Sequence, residues 1–181
     1  MGDANNVKEI AEKYHQSLFR YSMALSGRQR AEAEEIVQQL YLEMLEGKVD
    51  VISAQNKRAY LFGVARKIAS SRRRRRSVWS RIVGLRPNLP SSGGESSSPE
   101  KLTGESENRA KLERALEMLP RRQLEVISLV FSEGLTVEEA ASAMGISVGS
   151  ARTHYHRAKS RLAKMLEEDV ENEKGSHRKT A

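Results

Sequence analysis

The chain has 181 residues, 38% of them hydrophobic, with 31 Lys+Arg against 24 Asp+Glu for a net charge of +7. That leaves room for one medium domain or two small helical ones, and the cationic excess suits a polyanionic partner such as nucleic acid or an anionic membrane surface. The absence of cysteine excludes disulfides, thiolate metal sites and cysteine nucleophiles and fits a reducing compartment, so the cytoplasm is the expected location.

The N-terminus MGDANNVKEI has no basic-then-apolar pattern, no apolar run approaches the ~20 residues of a membrane span, and Asn6 interrupts a myristoylation motif. Neither a signal peptide nor a membrane anchor is expected. Charge is segregated along the chain: Met1 to Asp50 carries nine acids and six bases, whereas Lys57 to Arg86 carries eleven bases and no acid. Such a division suggests two kinds of partner.

Val7, Ile10, Ala11, Tyr14, Leu18, Tyr21 and Leu25 recur at helical spacing, and Gly27 ends that helix. A second face runs Ala33, Ile36, Val37, Leu40, Tyr41, Met44, Leu45, with Gly47 just past its end. A third runs Leu61, Val64, Ala65, Ile68 and enters the arginine run Arg72 to Arg76. Residues 84–106 are rich in Ser, Gly and Pro with little to bury, so a flexible linker is expected there. Beyond it Leu112, Ala115, Leu116 and Leu119 stop at Pro120, and Leu124, Ile127, Val130 and Phe131 stop at Gly134.

From Thr136 the spacing predicts a short helix, a tight turn and a longer helix. Thr136 and Glu139 have capping-box spacing, Ala140, Ala141 and Met144 give the short helix its buried side, Gly145 makes the turn and Ser147 caps the longer helix. Ala151, Tyr155, Ala158, Leu162 and Leu166 form the last apolar stripe, and the small residues Ala141, Gly145 and Ala151 let the two helices cross closely, as in a helix-turn-helix. No alternating β-branched run occurs. The expected fold is therefore all-α, two small helical domains joined by a flexible linker.

Residues 112–162 resemble region 4 of bacterial sigma factors: Leu119-Pro120, Glu133-Gly134, the Thr136-x-x-Glu139 start, Gly145-Ile146-Ser147 and Arg157-Ala158-Lys159 fall in that family's register. A response-regulator output domain shares a similar helix-turn-helix, and the N-terminal half separates the two. Residues 33–45 resemble sigma region 2.2, and Ala59-Tyr60-Leu61-Phe62-Gly63-Val64-Ala65-Arg66 resembles region 2.3. The chain departs from the family pattern at Gln39, where an acid is common, and at Lys67 and Ser71, where Asn and Asp are common.

No segment is long enough for the additional regions of housekeeping sigma factors, so the resemblance is to the extracytoplasmic-function group. It implies a sigma-2-like domain over 7–83, a linker over 84–106, a sigma-4-like domain over 107–166 and a charged tail over 167–181. It further implies core RNA polymerase as a partner, through the largest-subunit clamp helices and the flap region, together with promoter DNA and an anti-sigma factor. Glu35, Gln38, Gln39 and Leu42 take the polymerase-docking positions. The minus-10 and melting role falls to Tyr60, Arg66, Lys67, Arg72, Arg73 and Arg74, where an aromatic face holds an unstacked base and cations hold the single strand. Ser150, Arg152, Thr153, His156 and Arg157 crowd the polar side of the last helix and suit minus-35 base edges and phosphates.

Other signals are weaker. Gly145-Ile146-Ser147-Val148-Gly149 matches a nucleophile elbow without the strand that motif requires. His154 and His156 point apart on a helix, and His15 and His177 are isolated, so no metal or cofactor is expected. With no phosphate loop or carboxylate cluster, an enzyme is not expected. The rivals are a helix-turn-helix regulator acting without core polymerase and an arginine-rich RNA-binding protein.

Overall fold

Apolar residues at three- and four-residue steps fold into helices that bury those faces against one another. The computed structural model describes residues 4–82 and 104–177, all helix and short connections with no strand among them. The N-terminal half holds α1 (Ala4–Leu25), α2 (Arg30–Leu45) and α3 (Lys57–Ile82). The C-terminal half holds α4 (Gly104–Glu117), α5 (Arg121–Ile127) with a π-helical turn (Ser128–Ser132) continuing it, α6 (Val137–Met144) and α7 (Val148–His177).

Local chemistry sets the boundaries. Gly27 and Arg28 both take left-handed backbone and end α1. Asp50 accepts the amides of Ile52 and Ser53, turning the loop toward Asn56, whose Oδ1 accepts the Ala59 amide at 3.0 Å and caps α3. Pro120 stands between α4 and α5 and can donate no backbone hydrogen bond.

α1, α2 and α3 pack as a bundle around Leu18, Tyr21, Ile36, Leu40, Leu61 and Phe62, all 1% exposed or less. Tyr21 and Phe62 meet edge to face with centroids 5.3 Å apart, a geometry worth about 0.5–1.5 kcal/mol beyond its buried area. The halves do not stand apart. α6 lies along α3, α5 touches α1, and one cluster of buried side chains joins Tyr21, Phe62 and Ala65 to Val126, Leu129, Ala140, Ala143 and Met144.

Some expectations shift. α4 begins at Gly104, inside the stretch 84–106 assigned to the linker, and α7 continues to His177, so most of the charged tail is helical. Residues 83–103, which hold the rest of the linker, lie outside the described residues. Leu45, Leu112 and Phe131, each placed on an apolar face by spacing, are 41%, 42% and 65% exposed. Phe131 sits on the π-helical turn, which breaks the α-helical register, and stacks on Tyr155 at 6.0 Å.

Candidate nucleic-acid interface

The helix-turn-helix forms as its caps dictate. Thr136 Oγ1 accepts the Glu139 amide at 3.1 Å while Glu139 Oε2 accepts the Thr136 amide at 2.7 Å, so two donors that the first turn of α6 would leave unmet are satisfied together. Gly145, at φ 60°, turns the chain left-handed, a conformation that costs any residue with a Cβ. Ser147 then accepts the Ser150 amide at 3.2 Å and starts α7.

Ala151 and Ala158 are buried beneath α7, leaving Ser150, Arg152, Thr153, His156 and Arg157 on its exposed side. Thr153 donates its hydroxyl to the Gly149 carbonyl and Ser147 donates to Ser150 Oγ at 2.9 Å, interactions that hold the short side chains in fixed rotamers. Arg152 reaches back to Glu138 on α6 at 2.8 Å, and that guanidinium holds the Glu138 carboxyl below the usual carboxylate range. A nucleic acid bound here must take Arg152 from an exposed carboxylate.

On the N-terminal half, α3 does continue through the arginines, and Tyr60, Lys67, Arg73 and Arg74 are exposed along it. Arg66 is different. Its side chain is 19% exposed and its Nε donates to Glu125 Oε2 of α5 at 2.9 Å. Arg121 reaches the other oxygen of the same buried carboxylate at 2.6 Å, and Arg122 stands 3.6 Å away. Tyr21 faces this cluster; burial, with the Glu125 charge adding to it, pushes its hydroxyl far above the usual tyrosine range.

Arg72 pairs with Glu35 and Arg76 with Glu32, so the arginine run is stitched to α2, and a residue assigned to DNA meets one assigned to polymerase. Glu35, Gln38 and Leu42 are exposed on α2 and Gln39 is half-buried, donating to Glu43 at 3.1 Å. Leu42 is 51% exposed, an apolar side chain left in water on a face it shares with Glu35 and Gln38.

Sequence spacing did not single out Arg20, Asn56, Arg58, Glu125 or Glu138, each of which holds a charged or polar partner in the structure. Glu125 carries no apolar periodic signal, because it lies between Leu124 and Val126; Arg121 and Arg122 one turn before it are visible in the sequence, but the partner that carries it into the interior, Arg66, is 59 positions away. Among the described residues, no cluster of three or more His, Asp or Glu can hold a metal ion, and no helix is long and apolar enough to cross a membrane.

Residues 109–162 match the family model for sigma-70, region 4. The ECF RNA polymerase sigma factor EcfG of Rhodopseudomonas palustris is 32% identical over 152 residues, which span 83% of this chain and 79% of that one. SigD of Mycobacterium tuberculosis, another ECF RNA polymerase sigma factor, is 28% identical over 170 residues, spanning 89% and 77%. The sigma factor RpoE of Bartonella quintana, solved in complex with the anti-sigma factor NepR, has the same fold with a TM-score of 0.70 and 23% identity, over 91% of this chain and 98% of that one. The all-α architecture and its capped helix-turn-helix are those of a transcription-initiation protein. The chain belongs to the ECF family of RNA polymerase sigma factors.

Proposed function

We propose that this protein binds core RNA polymerase and directs it to promoters, working in the cytoplasm by binding rather than by catalysis. The observation that carries this reading is the pairing, in one chain, of a capped helix-turn-helix with a second helical unit that exposes Leu42 on α2 and Tyr60 among cations on α3. A helix-turn-helix regulator acting alone has no use for that second unit.

In this reading the unit 7–83 docks on the clamp helices of the largest subunit through Glu35, Gln38, Gln39 and Leu42. Tyr60, Lys67, Arg66 and Arg72 to Arg74 then hold the opened minus-10 strand, since a base can stack on an aromatic face while arginines neutralise phosphates. The unit 107–166 meets the flap region and sets the first turns of α7 in the minus-35 major groove, where Arg152 can give a guanine two hydrogen bonds and Ser150, Thr153 and His156 lie beside it. An anti-sigma factor is the expected regulatory partner.

Run-off transcription with purified core polymerase and a library of upstream sequences tests the reading. Promoter-dependent transcripts that require this protein are the expected result. Specific DNA binding with no affinity for core polymerase would move the protein to the regulator class.

A further inference from the structure

The two arginines on the exposed face of α7 differ in their partners. Arg152 forms a hydrogen-bonded ion pair with Glu138 of α6, Nη2 to Oε1 at 2.8 Å, and the two side chains are 69% and 54% exposed. Arg157 is exposed as well, and among the described residues it has no carboxylate partner. Glu138 is the second residue of α6 and lies 14 positions before Arg152, so the tight turn alone brings the pair together. Its neighbour Glu139 is already engaged by the capping box and by Asn56. A carboxylate in the first turn also suits the helix dipole, but that interaction asks nothing of Arg152.

The contact leaves most of the guanidinium fork free. Nη2 carries two hydrogens and Glu138 engages Nη2 alone, so one edge of the fork keeps a pair of parallel donors. That pair matches the O6 and N7 acceptors of guanine. What the carboxylate cancels is the charge. A base edge is a neutral array read by hydrogen bonds, whereas a phosphate draws a cation by Coulomb attraction and counterion release. Beside Glu138, Arg152 keeps its donors and offers phosphate little net charge. A phosphate drawn toward it meets the carboxylate as a second anion.

We propose that Glu138 is a specificity-determining residue of the helix-turn-helix: it neutralises Arg152 while leaving the fork free, so that this arginine reads guanine and is withheld from phosphates, which fall to the unpaired Arg157. The role rests on the promoter-binding reading above and adds to it a residue that touches DNA only through another. Glu138 is thus a positioning residue, and its effect belongs in selectivity and salt dependence rather than in stability.

Holoenzyme reconstituted from core polymerase and the full-length chain, titrated at several salt concentrations on promoter fragments with the cognate or a scrambled upstream element, tests this. Glu138→Gln should raise affinity for scrambled DNA more than for cognate DNA. Selectivity should fall about two- to fivefold, the range that an exposed ion pair spans. The salt slope on scrambled DNA should steepen by about one as an uncovered cation reaches phosphate. Glu138→Asp, which keeps the charge, should stay closer to wild-type selectivity. In an Arg152→Ala background, Glu138→Gln should change selectivity no further, because it acts through that arginine. Equal gains on both DNAs would make Glu138 a general repulsive charge and overturn the proposal, as would a full loss of selectivity in the Arg152→Ala background. A lower Tm with selectivity unchanged would return Glu138 to the helix dipole alone. If the chain does not bind core polymerase, the sigma-factor reading fails, and the same titration with the chain alone, on DNA enriched by its own binding, still decides the role of Glu138.

Discussion

Arg152 and Arg157 share one exposed face of α7 and are expected to do different work. Arg152 lies in the first turns, where a recognition helix meets base edges, and Arg157 lies further along, toward the phosphates. Arg152→Ala should cost about 1–3 kcal/mol on the cognate upstream element and flatten preference at one base pair. Arg157→Ala should weaken every sequence alike and lower the salt slope by about one. Titrations of both variants on cognate and scrambled elements at several salt concentrations separate the roles. Because Glu138 competes for Arg152 in the free protein, Glu138→Gln should strengthen DNA binding in the same assay. Tyr60, 39% exposed amid cations, offers a second residue-scale test. Tyr60→Ala should lower permanganate reactivity of promoter thymines more than it lowers closed-complex binding, with about 1–3 kcal/mol lost for one stacked base. Equal losses would return Tyr60 to a packing role.

Helices α2 and α6 carry the element-scale tests. Exposed Leu42 beside Gln38 on α2 is an apolar contact without an intramolecular use, so Gln38→Ala with Leu42→Ala should weaken co-purification with core polymerase and leave the thermal stability of the free protein close to wild type. α6 is only eight residues long and depends on its capping box. Thr136→Ala should cost about 1 kcal/mol of stability, read as a lower Tm. Hydrogen bonds from the Thr136 amide first, then Asn56, with the charge of Arg58, hold the Glu139 carboxyl below its ordinary value of 4.5. A depressed carboxylate contributes stability that is fully present above its unfolded value and disappears as pH falls through the folded one. The cap and its tie to α3 should thus be intact at neutral pH and weaken below about pH 4.5, and Glu139→Gln should blunt that loss in pH-dependent melting.

At the scale of the molecule, one buried cluster runs through both halves, so the closed chain should melt as a single unit. Calorimetry should give one transition for wild type and two for Glu125→Gln/Glu133→Gln, since each half retains helices of its own when the contact between them is lost. A buried carboxylate that satisfies three arginines stabilises only while its partners are present, and removing one side leaves the others uncompensated. Two separate transitions in the wild type would mean that this contact adds little cooperativity.

What the sequence determined by itself is everything that short-range rules govern. Apolar periodicity marked the helices, Pro120 and Gly145 marked breaks, Thr136 with Glu139 and Ser147 marked caps, and the motif registers on both halves marked the family. Each of these depends on residues within about one or two helical turns. Only the tertiary structure decided which cations are committed. Arg20 and Glu133 are 113 positions apart and Arg66 and Glu125 are 59 apart. No periodicity links such pairs, because their contact follows from how α5 and α6 settle on α1 and α3. The same packing sends Phe131 outward from a π-helical turn and lays the two helical units against each other, a contact that the Ser- and Gly-rich stretch between them does not specify. Local propensity sets where helices begin and end, but the burial of Glu125 and Glu133 between the halves is a long-range choice made by the whole chain at once.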